Sequence, residues 1–325
     1  MEIEHDSLDE VLIELYEALL RSPLKNKGSR GENIDLLGVA LRIRKPRTRL
    51  SRSENRGRPF SALGELLWYL SGSNKLEFIE PYVPRYKHDA RDGVLHGAYG
   101  PRLFAMEGKF DQLENATALL RKRDWSRRAV IQLFDAEDIS EDFPEVPCTT
   151  TLQFHVRNGA LSLGASMRSN DAYWGLPHDV FCFTMLQEMM AKRLGLELGE
   201  YYHYAGSMHV YEERVKGLEE YIDEGFQKTV EMPSMPDGDP FKIVPDLLST
   251  EAKIRSGEPV NASEAFGQTY WADIVRLLQV FWAKGDEDQL DRLKAEFDHP
   301  AYREYLEGRR HRTKKGAERN LDGSR

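Results

Sequence analysis

The residue types best suited to chemistry fall between Val146 and Tyr211. That span holds Val146-Pro147-Cys148-Thr149-Thr150, Met167-Arg168-Ser169-Asn170-Asp171, Gly175-Leu176-Pro177-His178-Asp179 and Gly206-Ser207-Met208-His209-Val210-Tyr211. A thiol attacks as its thiolate, and a neighbouring cation favours that form. Arg168 can be that cation if the chain brings it to Cys148. Carboxylates and a His/Tyr pair add groups that move protons or hold hydroxyls. Outside the span, Arg127 and Arg128 stand side by side. Such a pair either forms surface ion pairs or clamps a phosphate with two guanidinium forks.

The elements around these residues are legible in part. Leu152, Phe154 and Val156 alternate with polar positions, as do Leu161, Leu163, Ala165 and Met167, with Asn158-Gly159 between them. Two alternating runs around Asn-Gly predict a hairpin. It would set Cys148 at the entrance of one strand and Arg168 at the exit of the next, side by side. After Pro177 the apolar spacing turns helical through Val180, Phe183, Leu186, Met190 and Leu194. Asp179 then stands at a helix start, where a carboxylate can serve simply as a cap. Cys182 reads as an inert core thiol. Glu65 lies inside an apolar helix, Ala62 to Leu70, where an acid is costly unless it is paired or used; the alternative sets it on the helix's outer edge.

Upstream, residues 7–21 read as an amphipathic helix, Ser22 to Asn33 as a polar loop and Ile34 to Ile43 as a strand. The basic stretch from Arg44 to Arg58 is either solvated surface or an anion contact. Residues 80–106 read as irregular, the segment to Arg123 as helical, and Ala129 to Phe134 as a buried strand. Helices are expected across 268–307, including Trp271 to Trp282 and Asp288 to Phe297. The basic segment from Gly308 to Arg325 reads as a disordered tail.

The chain has 325 residues and a formal charge of −9, which argues against a general nucleic-acid binder. Its apolar runs fall short of the roughly 20 residues a membrane span needs, and the acidic start carries no secretory signal. Two cysteines fit a reducing, cytoplasmic setting. Neither zinc spacing nor a Gly-rich nucleotide loop is present, so no metal is expected.

Taken in order, Glu65-Leu66-Leu67-Trp68-Tyr69-Leu70-Ser71-Gly72, Gly97-Ala98-Tyr99-Gly100, Ser126-Arg127-Arg128, Pro147-Cys148, Arg168-Ser169-Asn170-Asp171 with Gly175-Leu176-Pro177, and His209-Val210-Tyr211 form a pattern. The chain resembles the thymidylate synthase superfamily across this stretch. It departs from the synthases at Thr149, where they carry His after the cysteine, and at Asp179, where they carry Asn. In Met167–Asp171 and Gly206–Tyr211 it is closer to the hydroxymethylase branch, which includes deoxycytidylate and cytidylate hydroxymethylases.

The resemblance implies an α/β (α+β) fold with a curved mixed sheet flanked by helices. It implies a catalytic domain over 1–235. Residues 236–307 read as a mainly helical extension packed on that domain, and 308–325 as the tail. It implies a homodimer in which Arg127 and Arg128 reach the partner's site. Cys148 would add to C6 of the pyrimidine, Glu65 would organise water and proton transfer, and Asp179 would read the base. Arg30 (or Lys27), Arg127, Arg128, Arg168 and Ser169 would hold the phosphate. His209 and Tyr211 would bind the sugar, and Asp171 and Tyr86 would bind 5,10-methylenetetrahydrofolate. An amide suits uracil, whereas a carboxylate accepts from cytosine N4 and can share a proton with N3. The expected activity is therefore folate-dependent 5-hydroxymethylation of dCMP or CMP. The alternatives are a thymidylate synthase methylating dUMP and a hydroxymethylase of dUMP.

Overall fold

A computed structural model describes residues 1–28, 31–51, 59–225, 229–267, 269–283, 286–297, 299–302 and 305–306. The expectations for Arg30 and for the tail at 308–325 lie outside the described residues. In chain order the first elements are β1 (Glu2–His5), α1 (Leu8–Arg21), β2 (Lys25–Gly28), β3 (Gly31–Ile43), α2 (Pro59–Leu70), α3 (Leu76–Ile79), α4 (Tyr99–Phe104) and α5 (Gln112–Lys122). Next come β4 (Val130–Gln132), β5 (Thr149–Arg157), β6 (Ala160–Met167), β7 (Asn170–Asp171), α6 (Gly175–Leu194) and β8 (Glu197–Tyr211). The remainder is helical: α7 (Val215–Asp223), α8 (Val244–Ser256), α9 (Ala262–Phe266), α10 (Thr269–Trp282) and α11 (Glu287–Glu296).

The strands form one mixed sheet in the order β1-β3-β8-β6-β5-β4, with β2 paired to β3 and β7 to β8. β1 runs parallel to β3 and β6 parallel to β8, while β3–β8, β5–β6 and β4–β5 are antiparallel. The expected hairpin is β5–β6. Asn158 and Gly159 both take positive φ, 51° and 77°, as a two-residue turn matched to strand twist requires. The polar segment 22–33, expected as a loop, instead pairs Lys25–Gly28 with Gly31–Ile34. Backbone pairing there needs no apolar alternation, so periodicity could not report it. The span 80–106, expected as irregular, contains the short helix α4.

The core lies between sheet and helices. α1 opens with a capping box between Ser7 and Glu10 and buries Leu8, Val11, Leu12, Leu15 and Leu19, satisfying two otherwise orphaned donors at its start. α6 is buried along most of its length and ends at Gly195 in the left-handed conformation, φ 67°. It packs on β6, β8 and α2. The C-terminal helices close the far side: α10 packs on α2, α8 and α9. Tyr82 ties this region together. Its ring stacks on Phe281 at 4.9 Å, its hydroxyl donates to Glu251 at 2.7 Å, and Trp282 Nε1 donates to that hydroxyl at 3.1 Å. Among the described residues no helix is long and apolar enough to cross a membrane.

Candidate active site

The hairpin does for Cys148 what its sequence implied. After a one-residue register shift between Thr149 and Thr151, Thr149 pairs with Met167, and the Arg168 backbone N–H donates to the Cys148 carbonyl at 2.9 Å. The Arg168 side chain folds back along the same segment. Nε donates to the Pro147 carbonyl at 2.9 Å, and one terminal nitrogen reaches the Val146 carbonyl at 3.2 Å and the Cys148 sulfur at 3.7 Å. The guanidinium is thus fixed beside a half-buried thiol, where its charge favours the thiolate. Thr149 faces the other way. It is fully buried, its hydroxyl bonds Tyr99 at 2.9 Å, and its backbone N–H donates to the same phenol at 3.1 Å. These bonds fasten the backbone beside Cys148.

Glu65 is buried, not on the outer edge of its helix. Oε1 accepts from the hydroxyls of Tyr69 at 3.1 Å and Tyr86 at 2.8 Å, and Oε2 meets His178 Nδ1 at 2.9 Å. Burial works to raise this carboxyl, but the His178, Tyr86 and Tyr69 hydrogen bonds outweigh it and hold Glu65 below its ordinary value. Burial and the Glu65 charge push both phenols well up, so they remain donors. His178 Nε2 in turn meets the Ser61 hydroxyl at 3.0 Å. Tyr86 is half-buried with its hydroxyl turned inward and its ring 5.4 Å from Trp68.

Asp179 does not cap its helix. It is buried, and Oδ2 accepts from Asn170 Nδ2 at 2.8 Å. Burial first, then the nearby Glu65 charge, push its carboxyl well above the ordinary range; the Asn170 hydrogen bond pulls the other way. Asp171 instead fastens the turn leading into the helix, its Oδ1 accepting from the N–H groups of Tyr173 at 2.8 Å and Trp174 at 2.9 Å.

Ser169, His209 and Tyr211 form a second group. The Ser169 hydroxyl lies 3.5 Å from His209 Nδ1, and the His209 and Tyr211 rings meet edge-on at 5.1 Å. Asp171 joins them by pairing with His209 across β7 and β8. Arg127 and Arg128 are exposed just before the edge strand β4 and, among the described residues, make no ion pair or side-chain hydrogen bond with the others. A groove lined by Phe110, Gln112, Asn115, Arg128 and Asp135 shares only Arg128 with the expected residues.

A family model described as thymidylate synthase matches residues 56–239, over half of the chain and every site residue from Glu65 to Tyr211. The chain belongs to the thymidylate synthase family. It is 34% identical over 167 residues to a deoxyuridylate hydroxymethyltransferase of Pseudomonas phage M6, covering 50% of this chain and 47% of that one. It is 31% identical over 216 residues to the protein of that name from Bacillus phage SP01, covering 61% and 56%. A thymidylate synthase of Symbiobacterium thermophilum is 34% identical over 166 residues, covering 46% and 58%. The chain thus spans about half the length of the phage relatives it matches. Within this thymidylate synthase-family chain, sequence reasoning missed His178, Tyr69, Tyr99, Asn170 and His203 as participants. Each was visible in or beside a motif, but the partners of His178 and Tyr99 lie 113 and 50 residues away.

Proposed function

We propose that this chain is a one-carbon transferase that hydroxymethylates C5 of a cytidine monophosphate, dCMP or CMP. The observation that carries the reading is Asp179, a buried carboxyl with one oxygen held by Asn170, in the stretch where the synthases carry an amide. A carboxyl accepts from cytosine N4–H, and a raised pKa suits a proton shared with N3. The Cys148 thiolate, favoured by Arg168, adds to C6 and makes C5 nucleophilic. 5,10-Methylenetetrahydrofolate, when bound, would supply the carbon at the oxidation level of formaldehyde: its two C–N bonds to that carbon give way to the bond from C5 and the bond from water oxygen, and tetrahydrofolate leaves with the two protons released from C5 and water. The half-buried Tyr86 ring beside Trp68 offers the aromatic face such a pterin stacks on, and Asp171 is its polar contact. Glu65, gripped by three donors, orders the water whose oxygen becomes the hydroxyl and takes up its proton; the C5 hydrogen leaves as a proton, and the thiolate is expelled from C6. Arg168 and Ser169 hold the phosphate, with Arg30 from the N-terminal segment. His209 and Tyr211 bind the sugar.

Arg127 and Arg128 complete the phosphate site of a second copy, which makes the working unit a homodimer. Their exposure, and their lack of side-chain partners among the described residues, support this. Residues 1–235 form the catalytic domain, and 236–307 are a helical extension buttressing it.

A second reading, hydroxymethylation of dUMP, is favoured by the activity named for the phage relatives and by a neutral Asp179, whose O–H can donate to uracil O4. The deciding experiment incubates the protein with 5,10-methylenetetrahydrofolate and dCMP, CMP or dUMP and reads product masses. Gain of CH2O on a cytidylate is expected; gain on dUMP alone selects the second reading. A methylated dUMP with dihydrofolate absorbance would overturn both in favour of a synthase. Cys148→Ala should abolish release of labelled hydrogen from C5.

A further inference from the structure

A line of buried polar side chains ends at Asp179, and the proposed reaction does not use it. The Tyr201 hydroxyl lies 2.8 Å from His203 Nδ1, His203 Nε2 lies 2.9 Å from Asn170 Oδ1, and Asn170 Nδ2 lies 2.8 Å from Asp179 Oδ2. All four residues are buried. Burial pushes the His203 ring down to about 3, so it is neutral and carries one N–H. With the amide oxygen turned to it, an acceptor, that hydrogen sits on Nε2, and Nδ1 accepts from Tyr201. Each donor then faces an acceptor, and the line arrives at Asp179 as an N–H donor. Gly175 makes room for it: a Cβ there would stand 3.0 Å from Asn170 Nδ2 and 3.5 Å from Asp179 Oδ2.

A carboxyl that accepts through one oxygen keeps its proton on the other. We infer that Asn170, oriented by His203 and Tyr201, is a specificity-determining positioning residue that pins Asp179 Oδ2 as an acceptor, so that the proton shared with the base sits on Oδ1. This rests on the proposed role of Asp179 in reading the base. Without the pin, the carboxyl can carry its proton on either oxygen. It then pairs with N3 and N4–H of cytosine or with N3–H and O4 of uracil alike. Losing Asn170 should therefore relax base choice while the Cys148 chemistry continues.

The pH behaviour has a defined sign. Glu65 from α2 and Asp171 from β7 face Asp179 as negative charges, and Arg85 from the 3-10 turn at Pro84–His88 as a positive one. Tyr99 of α4, Tyr201 of β8 and Cys182 of α6 feel its charge, and His178 precedes it on α6. The Asn170 donor favours ionisation, so its loss moves Asp179 further up.

The test compares the 325-residue wild type with N170A on dCMP and dUMP across pH. The ratio of kcat/KM between the preferred base and the other should fall at least about tenfold. The change should lie mainly in KM, and the limb of the profile set by Asp179 should move to higher pH. An unchanged ratio and profile in an active N170A overturns the inference alone. If wild type turns over neither nucleotide, the functional reading fails and takes this assignment with it. H203F, which frees the amide to rotate, should relax the ratio in the same direction. Nitrogen NMR of His203 in the wild type gives a readout independent of turnover. A neutral ring protonated at Nε2 is expected, and one protonated at Nδ1 overturns the inference.

Discussion

Glu65 and Asp179 are both buried carboxyls, yet their surroundings drive them apart. Glu65 has three donors and is held below its ordinary value; Asp179 has the Asn170 donor and is pushed well above it. Environments that separate two titratable groups in this way suit different roles in proton transfer. Glu65→Gln would turn an amide N–H toward His178 or toward the two phenols, opposing donors whichever way it lies. A fall in kcat of about 10²-fold is expected, with nucleotide binding largely kept, measured by steady-state kinetics. For stability the signs differ. The folded-state pKa of Glu65 is depressed, so its contribution is present at neutral pH and is lost as acid carries the pH down through that value. The folded-state pKa of Asp179 is raised, so the native state favours its neutral form. That advantage is present at low pH and lost as pH rises through the folded value. Asp179→Asn should accordingly raise the thermal midpoint at pH 8 and leave it nearly unchanged at pH 4. It should also shift turnover towards uridylate. A variant equally stabilised at both pH values would contradict the burial argument.

At the scale of elements, α2 carries Glu65, and its seat depends on Gly64. A Cβ at Gly64 would stand 2.2 Å from Cγ of Tyr82, a backbone-proximal ring atom with little room to give. The Tyr82 ring is itself fixed between Phe281 and Trp282. Gly64→Ala should therefore push the helix and the ring apart. The expected loss is about 1–3 kcal/mol in chemical denaturation, despite alanine's better helix propensity. Activity should fall with it, because Glu65 comes directly after. A stabilised, fully active G64A would show that helix and ring can separate without strain. The hairpin β5–β6 is the other positioning element: its ends set the Cys148 sulfur against Arg168 at 3.7 Å.

At the scale of the whole molecule, the helices beyond residue 239, outside the matched family region, are joined to that region through charged and polar groups as well as apolar packing. Glu251 is fully buried, accepts from Tyr82 and pairs with Arg255 Nε at 3.0 Å. The Tyr305 hydroxyl makes a further junction, donating to the Ser51 carbonyl at 3.0 Å. Glu251→Ala leaves Arg255 without its carboxylate and Tyr82 without its acceptor. A cost of about 2 kcal/mol is expected, read as an earlier denaturation midpoint. If the extension is a buttress, kcat should drop with stability; a separate unfolding step for the C-terminal helices with unchanged activity would argue that it is an appendage.

What the sequence determined by itself was the chemistry within short range. Alternation around Asn158-Gly159 fixed the hairpin, because a two-residue turn leaves strand register little freedom; the one-residue shift between Thr149 and Thr151, which brings Arg168 opposite Cys148, was not legible in it. The ordered motifs carried the family, and helical spacing carried α1, α2, α6 and α10. The tertiary structure decided whatever joins positions far apart in the chain. It buried Glu65 under His178, turned Thr149 to Tyr99, and moved Asp179 from helix cap to the end of a line beginning at Tyr201. A residue's type states which hydrogen bonds it can make, but only packing selects the partner and removes the water that would compete.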